Sequence, residues 1–152
     1  FNWESKQFPS ETHDSTPLIG NVEGLKSVFR GFNAVPNIEI KSLEQLQAFY
    51  ADYEKTVGYD FPMSVQQYNV YGLKAAYEGQ VDWGQAILEK GVEVFDQSEV
   101  LWDSLATVYS MNDNNESALK ASNKAVQFAR EHQSKYISEI EAQNSDLKSR
   151  NK

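Results

Sequence analysis

The chain has 152 residues, with 22 Asp and Glu against 14 Lys and Arg, a formal charge of −8, and no cysteine. That is the length of one domain, or of one domain and a fragment, with enough chain for a core. The acidity argues against nucleic acid or an anionic membrane surface as partner, since both need basic patches. Missing cysteines exclude disulfides and thiolate metal sites, and no apolar run reaches the ~20 residues that span a bilayer. No secretory signal is visible, and a cytoplasmic or periplasmic compartment stays open. The chain begins at Phe1 in mid-pattern and reads as a piece of something longer.

In chain order, residues 1–8 alternate loosely, with Phe1 and Trp3 on one face and Asn2 and Glu4 on the other, which predicts a short strand ended by Pro9. A polar loop with His13 follows. Thr16 is the expected N-cap and Pro17 the first residue of a helix over 17–31, where its missing N–H is harmless. Leu18, Val22, Leu25, Phe29 and Phe32 share one face of it. Residues 33–41 read as a linker. Ser42 with Gln45 predicts a capping box for a helix over 42–57, whose face is Leu43, Leu46, Tyr50, Tyr53 and Val57, with Gly58 as its stop. Ser64 with Gln67 is a second box.

From Val65 to Arg130 one pattern is written twice. Tyr68-x-x-Tyr71-Gly72 matches Trp102-x-x-Leu105-Ala106 at a shift of 34, and the same shift carries Gly84 onto Ala118 and Gly91 onto Ala125. Small residues at these spacings belong where helix axes approach most closely. The large ones (Tyr68, Tyr71 and Leu88; Trp102, Leu105 and Tyr109) belong in the gaps between helices. One mismatch stands out: Ala75 occupies the place of Tyr109, and Tyr77 is the residue expected to supply the missing bulk. The period resembles a tetratricopeptide pair. The resemblance implies repeats over 65–98 and 99–132, with helices near 65–78, 82–95, 99–111 and 115–130 stacked as antiparallel hairpins in a right-handed array. Gly79 and Asp113 mark the turns. A polar helix over 133–147, with Tyr136, Ile140 and Leu147 as its stripe, is expected to cap the array and to fray from Asn144 onward.

Glu11-Thr12-His13-x-Ser15-x-Pro17, followed by Gly24-Leu25-Lys26-x-x-Phe29, is similar to the C-terminal end of an α/β-hydrolase family of siderophore-esterase-like acyl-ester hydrolases. Some members carry a tetratricopeptide-like tail, which Gly58-Tyr59-x-x-Pro62 and the repeats also resemble. The resemblance implies residues 1–32 as the remnant of the hydrolase domain, 33–41 as linker and 42–152 as an all-α helical-repeat domain. His13 would be the base of a Ser–His–acid triad in the parent protein, taking the serine proton and returning it to the leaving group. The nucleophile is not in this chain, because no Gly-x-Ser-x-Gly elbow occurs in it. From the residues alone, without the resemblance, His13 reads as a solvated loop histidine with no chemistry.

The inner face of the repeats is the other candidate site: Gln66, Asn69, Leu73 and Tyr77 from the first copy, Val100, Asp103, Thr107 and Met111 from the second. Without Lys or Arg it has no clamp for a peptide carboxylate, but it suits an apolar or extended segment. Asp60, Asp82, Asp96, Asp103 and Asp113 lack the spacing of a calcium loop and read as solvated carboxylates, so no metal and no cofactor is expected. His132 reads as a surface residue. Two functions follow. One is the C-terminal part of a serine esterase, inactive alone, whose partner is the hydrolase domain of the parent chain. The other is a protein–protein interaction module with no catalytic role. The apolar face within 1–32 further predicts a covering partner, either the 42–57 helix or a second copy in a homodimer.

Overall fold

The structure, a computed structural model, describes residues 5–28, 42–58, 60 and 62–150. Among the described residues the regular structure is all helical, with seven helices and no strand. They are α1 (Thr16–Val28), α2 (Leu43–Val57), α3 (Val65–Tyr77), α4 (Val81–Val94), α5 (Glu99–Met111), α6 (Asn115–Glu131) and α7 (Ile137–Arg150). Contacts divide the chain into two compact units, Phe1–Pro62 and Met63–Lys152, so that α2 groups with the N-terminal residues.

In the first unit the strand expected over 1–8 is absent where it is described. Residues 5–8 are irregular; residues 1–4 lie outside the described residues. A lone strand leaves its backbone groups unpaired, and here a side chain ties the segment to the helix instead. Lys6 Nζ lies 2.6 Å from Glu23 Oε2 on α1, and Lys26 Nζ lies 2.9 Å from the other Glu23 oxygen. Hydrogen bonds from Lys6 and then Lys26 hold the Glu23 carboxyl well below the usual range, at about 2. The helix starts one residue earlier than expected. Thr16 is its first residue, and its hydroxyl donates to the Thr12 carbonyl at 2.7 Å rather than accepting from a helix amide. Leu18 is 71% exposed and Leu25 59%, so the described residues leave that face open. Phe29 and Phe32 lie outside the described residues. On α2, Leu46, Tyr50 and Tyr53 are buried as the stripe requires. Ser42 Oγ accepts from the Gln45 amide, and Gly58, at φ 78°, closes the helix by donating to the Glu54 carbonyl at 2.8 Å.

In the second unit α3 packs on α4, α4 on α5, α5 on α6 and α6 on α7, and α3 also lies against α5. The local signals for these elements are polar caps. Ser64 and Gln67 complete a reciprocal capping box, Ser98 Oγ accepts from Leu101, and Asn114 Oδ1 accepts from Ser117. The turn after α3 and the turn after α5 are the same turn. Gln80 donates to the Ala75 carbonyl at 2.9 Å, and Asn114 donates to Tyr109 at 2.9 Å. Gly79 and Asp113 between them are both left-handed, at φ 86° and 56°. The bonds that open the helices recur likewise: Tyr68 to Ser64 and Trp102 to Ser98, Gly84 to Gln80 and Ala118 to Asn114. Every one of these pairs is 34 residues apart.

Glycines set the α3–α4 contact. A Cβ on Gly84 would stand 2.5 Å from the Gly72 carbonyl oxygen and 3.0 Å from Ala76 Cβ, and one on Gly72 would overlap Leu88 Cγ. The two backbones touch there. In the α5–α6 pair the equivalent Ala106, Ala118 and Ala125 are wholly buried. Tyr77 does not stand in for Tyr109: it is 70% exposed, while Ala75 is buried.

The last helix differs most from expectation. α6 runs through Glu131, so α7 begins at Ile137, and its C-terminal half is well anchored. Asn144, buried, donates to Ser122 Oγ at 3.0 Å and to Asn123 Oδ1 at 2.9 Å, and Leu147 is buried beyond it. The fraying expected from Asn144 onward is overturned by these bonds. A buried amide with both neighbours satisfied fixes the register of one helix on another.

Candidate functional site

Because α3 and α5 lie side by side at one register, residues 34 apart occupy matching places on their shared face. Gln66 and Asn69 from α3 and Val100 and Asp103 from α5 line a single cavity of about 670 Å³. The other four residues expected on this face do not line it. Leu73 is half-buried; Tyr77 and Met111, the last residues of their helices, are exposed; Thr107 is engaged by α7. The cavity owes its far wall to Tyr136, Glu139 and Ile140, at the start of α7. These three residues were not on the expected face. Their signal was present in the stripe of Tyr136, Ile140 and Leu147, but the longer α6 moves α7 four residues on from the 34-residue period.

Asp103 is the electrostatic centre of the cavity. It is not one of a set of solvated carboxylates, as expected, because the arrival of α7 covers much of it. Burial pushes its carboxyl up to about 6. The Gln143 amide on α7 satisfies both neighbours when its nitrogen faces Asp103, 3.0 Å from Oδ2, and its oxygen takes the Thr107 hydroxyl at 2.8 Å. That donated N–H favours the charged carboxylate and opposes the effect of burial. Beside it Ser104, buried, donates to Asn69 Oδ1, which leaves the Asn69 N–H2 as the donor at this wall.

The remaining candidates resolve differently. His13 is exposed on the turn before α1, where Thr12 N donates to Ser15 Oγ at 3.0 Å. Nothing among the described residues gives it a serine or carboxylate partner. His132 is a surface residue with neighbours, stacked on Phe128 and 3.2 Å from Glu99 Oε2. The aromatics pack rather than present a platform: Tyr68 meets Phe95 edge to face, and Trp102 donates its indole N–H to the Asp96 carbonyl at 2.6 Å under the Lys124 ammonium. Among the described residues no three acidic or histidine side chains gather as a metal site, and no helix is long and apolar enough to cross a membrane.

No protein-family model, no curated protein and no solved structure matches this chain.

Proposed function

We propose that residues 63–152 form a tetratricopeptide-type interaction module that holds a segment of another protein in the groove walled by α3, α5 and α7. The observation that carries this reading is the backbone hydrogen-bond set recurring at 34 residues, together with the shared cavity of Gln66, Asn69, Val100 and Asp103. Helical hairpins repeated at that period align equivalent side chains along one face, and such a face suits an extended peptide. The experiment is site-specific photo-crosslinking in the native cell. A benzophenone at Gln66, exposed on the groove wall, should trap a partner, and one at Lys120 on α6 should not. Trapping from Lys120 alone would overturn the groove.

A second reading belongs to residues 1–32, which we propose close a serine-esterase domain in a longer parent protein with His13 as base. It is favoured by the exposed turn that carries His13 directly into α1, and by the sequence resemblance. On this reading the open face of Leu18, Val22 and Leu25 packs on the hydrolase sheet, or on a second copy of this chain. His13→Ala in that parent should lower ester hydrolysis by orders of magnitude, because triad residues act as a unit. Unchanged hydrolysis would remove His13 from the reaction.

A further inference from the structure

The chemistry of the groove bears on what fills it, given the proposed reading as an interaction module. Asp103 on α5 and Glu139 on α7 reach the same cavity from different helices, and no Lys or Arg lines it. Neither carboxylate is in an ion pair among the described residues. Lys135, next to the wall residue Tyr136 in the chain, sits over that ring, 4.8 Å from its centre. Asp103 has one side-chain amide for company and is partly buried, with its remaining exposure on the cavity. A carboxylate so placed is unfavourable until a cation joins it.

The other lining groups fit a peptide. Gln66 and Asn69 offer side-chain amides, which match a backbone's alternating N–H and C=O groups, and Asn69 has its donor end free for that. Val65, Val100 and Ile140 supply apolar wall for a neighbouring side chain. A volume of about 670 Å³ lies within the range of sites that bury most of a ligand of this size. We propose that the groove takes an extended peptide segment bearing a lysine or arginine beside an apolar residue, with the cation facing Asp103 and Glu139 and the backbone bonded to Gln66 and Asn69. An acidic segment is repelled by the same wall.

The test is selection from a phage-displayed random peptide library on the whole chain, with Gln66→Trp as a blocked groove. Gln66 is exposed, so that variant keeps the fold, as circular dichroism should verify. The expected peptides share a Lys or Arg at a fixed place, and a selected one binds Asp103→Asn/Glu139→Gln about tenfold more weakly than the unaltered chain. Peptides that lack a shared basic residue, bind the double variant equally and are lost on Gln66→Trp would overturn the basic segment and leave the module standing. Peptides that bind the Gln66→Trp chain undiminished, or no selection above it, would overturn the groove itself.

Discussion

The two helix pairs, α3 with α4 and α5 with α6, share their backbone hydrogen bonds and differ in how they fill the space between helices. In the first pair the glycines let the backbones touch at Gly72 and Gly84. In the second, the equivalent positions are wholly buried alanines, and Tyr109 reaches back to the preceding helix, its hydroxyl donating to Glu89 on α4 at 2.8 Å. Ala75 in the first pair is thus not a gap awaiting a larger side chain. What repeats is the backbone arrangement, and the side-chain volumes are adjusted separately within each pair.

The largest effect should come from exchanging the small residues. Gly84→Ala places a methyl against a carbonyl oxygen on a facing helix, and neither backbone can swing away as a side-chain tip can. The expected loss is at or above the upper end of the ~1–3 kcal/mol typical of overpacking. Ala118→Gly should lose only ~1 kcal/mol, from helix propensity and a vacated methyl. Thermal melts of the two variants should therefore differ by several degrees. Equal melting points would mean the pairs are closed in the same way after all.

A smaller loss should mark a contact that only the second pair has, the one with α7 through Asn144. Asn144→Ala strips Ser122 and Asn123 of a shared donor and loosens α7 from α6, at roughly 1–2 kcal/mol. Hydrogen exchange should rise in α7 and stay unchanged in α3 and α4. A uniform rise would show that α7 is needed by both pairs alike.

How much of this was legible in the sequence follows from what each signal requires. The repeat could be read because close helix contact admits few residue types, so Gly72, Gly84 and Gly91 and their alanine counterparts stand out at a fixed period. The turn after α3 announces itself in Gly79, and the one after α5 in Asp113 with its two asparagines. The end of α6 has no such mark. Gln133 turns left-handed at φ 51°, a conformation that disfavours a residue without glycine's freedom, so the turn after α6 and the later start of α7, at Ile137 rather than 133, went unread. The groove was half legible for the same reason. The residues on α3 and α5 followed from the period, whereas the α7 wall and the covering of Asp103 depended on that shift. Residues 1–8 carry a loose alternation, but among the described residues there is no strand for it to pair with.

Asn69 and Asp103 occupy the same place in the two copies, so Asp103→Asn makes the second copy like the first. The sign follows from the pKa. Burial lifts the Asp103 carboxyl from 3.8 to about 6 in the folded chain. Below the unfolded value both states hold the proton and the site is neutral to stability. As pH rises from about 4 through about 6, the unfolded state releases its proton first, and stability falls. Above that window the penalty is complete. With solvent screening and the Gln143 amide both reducing it, it amounts to roughly 1 kcal/mol. Asp103→Asn should therefore raise the melting temperature at pH 7 and leave it unchanged near pH 3.5. A gain that persists at low pH would mean the effect is not the charge.

The smallest expected effect separates the packing of Tyr109 from its hydroxyl. Burial and then the Glu89 carboxylate push the Tyr109 phenol up to about 12, so it stays protonated and donates across the working range. Tyr109→Phe keeps the ring and removes only that bond. Glu89 keeps another donor, Gln85 Nε2 at 3.0 Å, so no bare charge is left behind. The loss should be about 0.5 kcal/mol, and Glu89→Gln should cost about the same with no further loss when the two are combined. A loss several times larger for Tyr109→Phe would mean that this one bond between α4 and α5, and not the packing of small residues within each pair, carries much of the stability, and the contrast between the pairs would have to be drawn from what joins them.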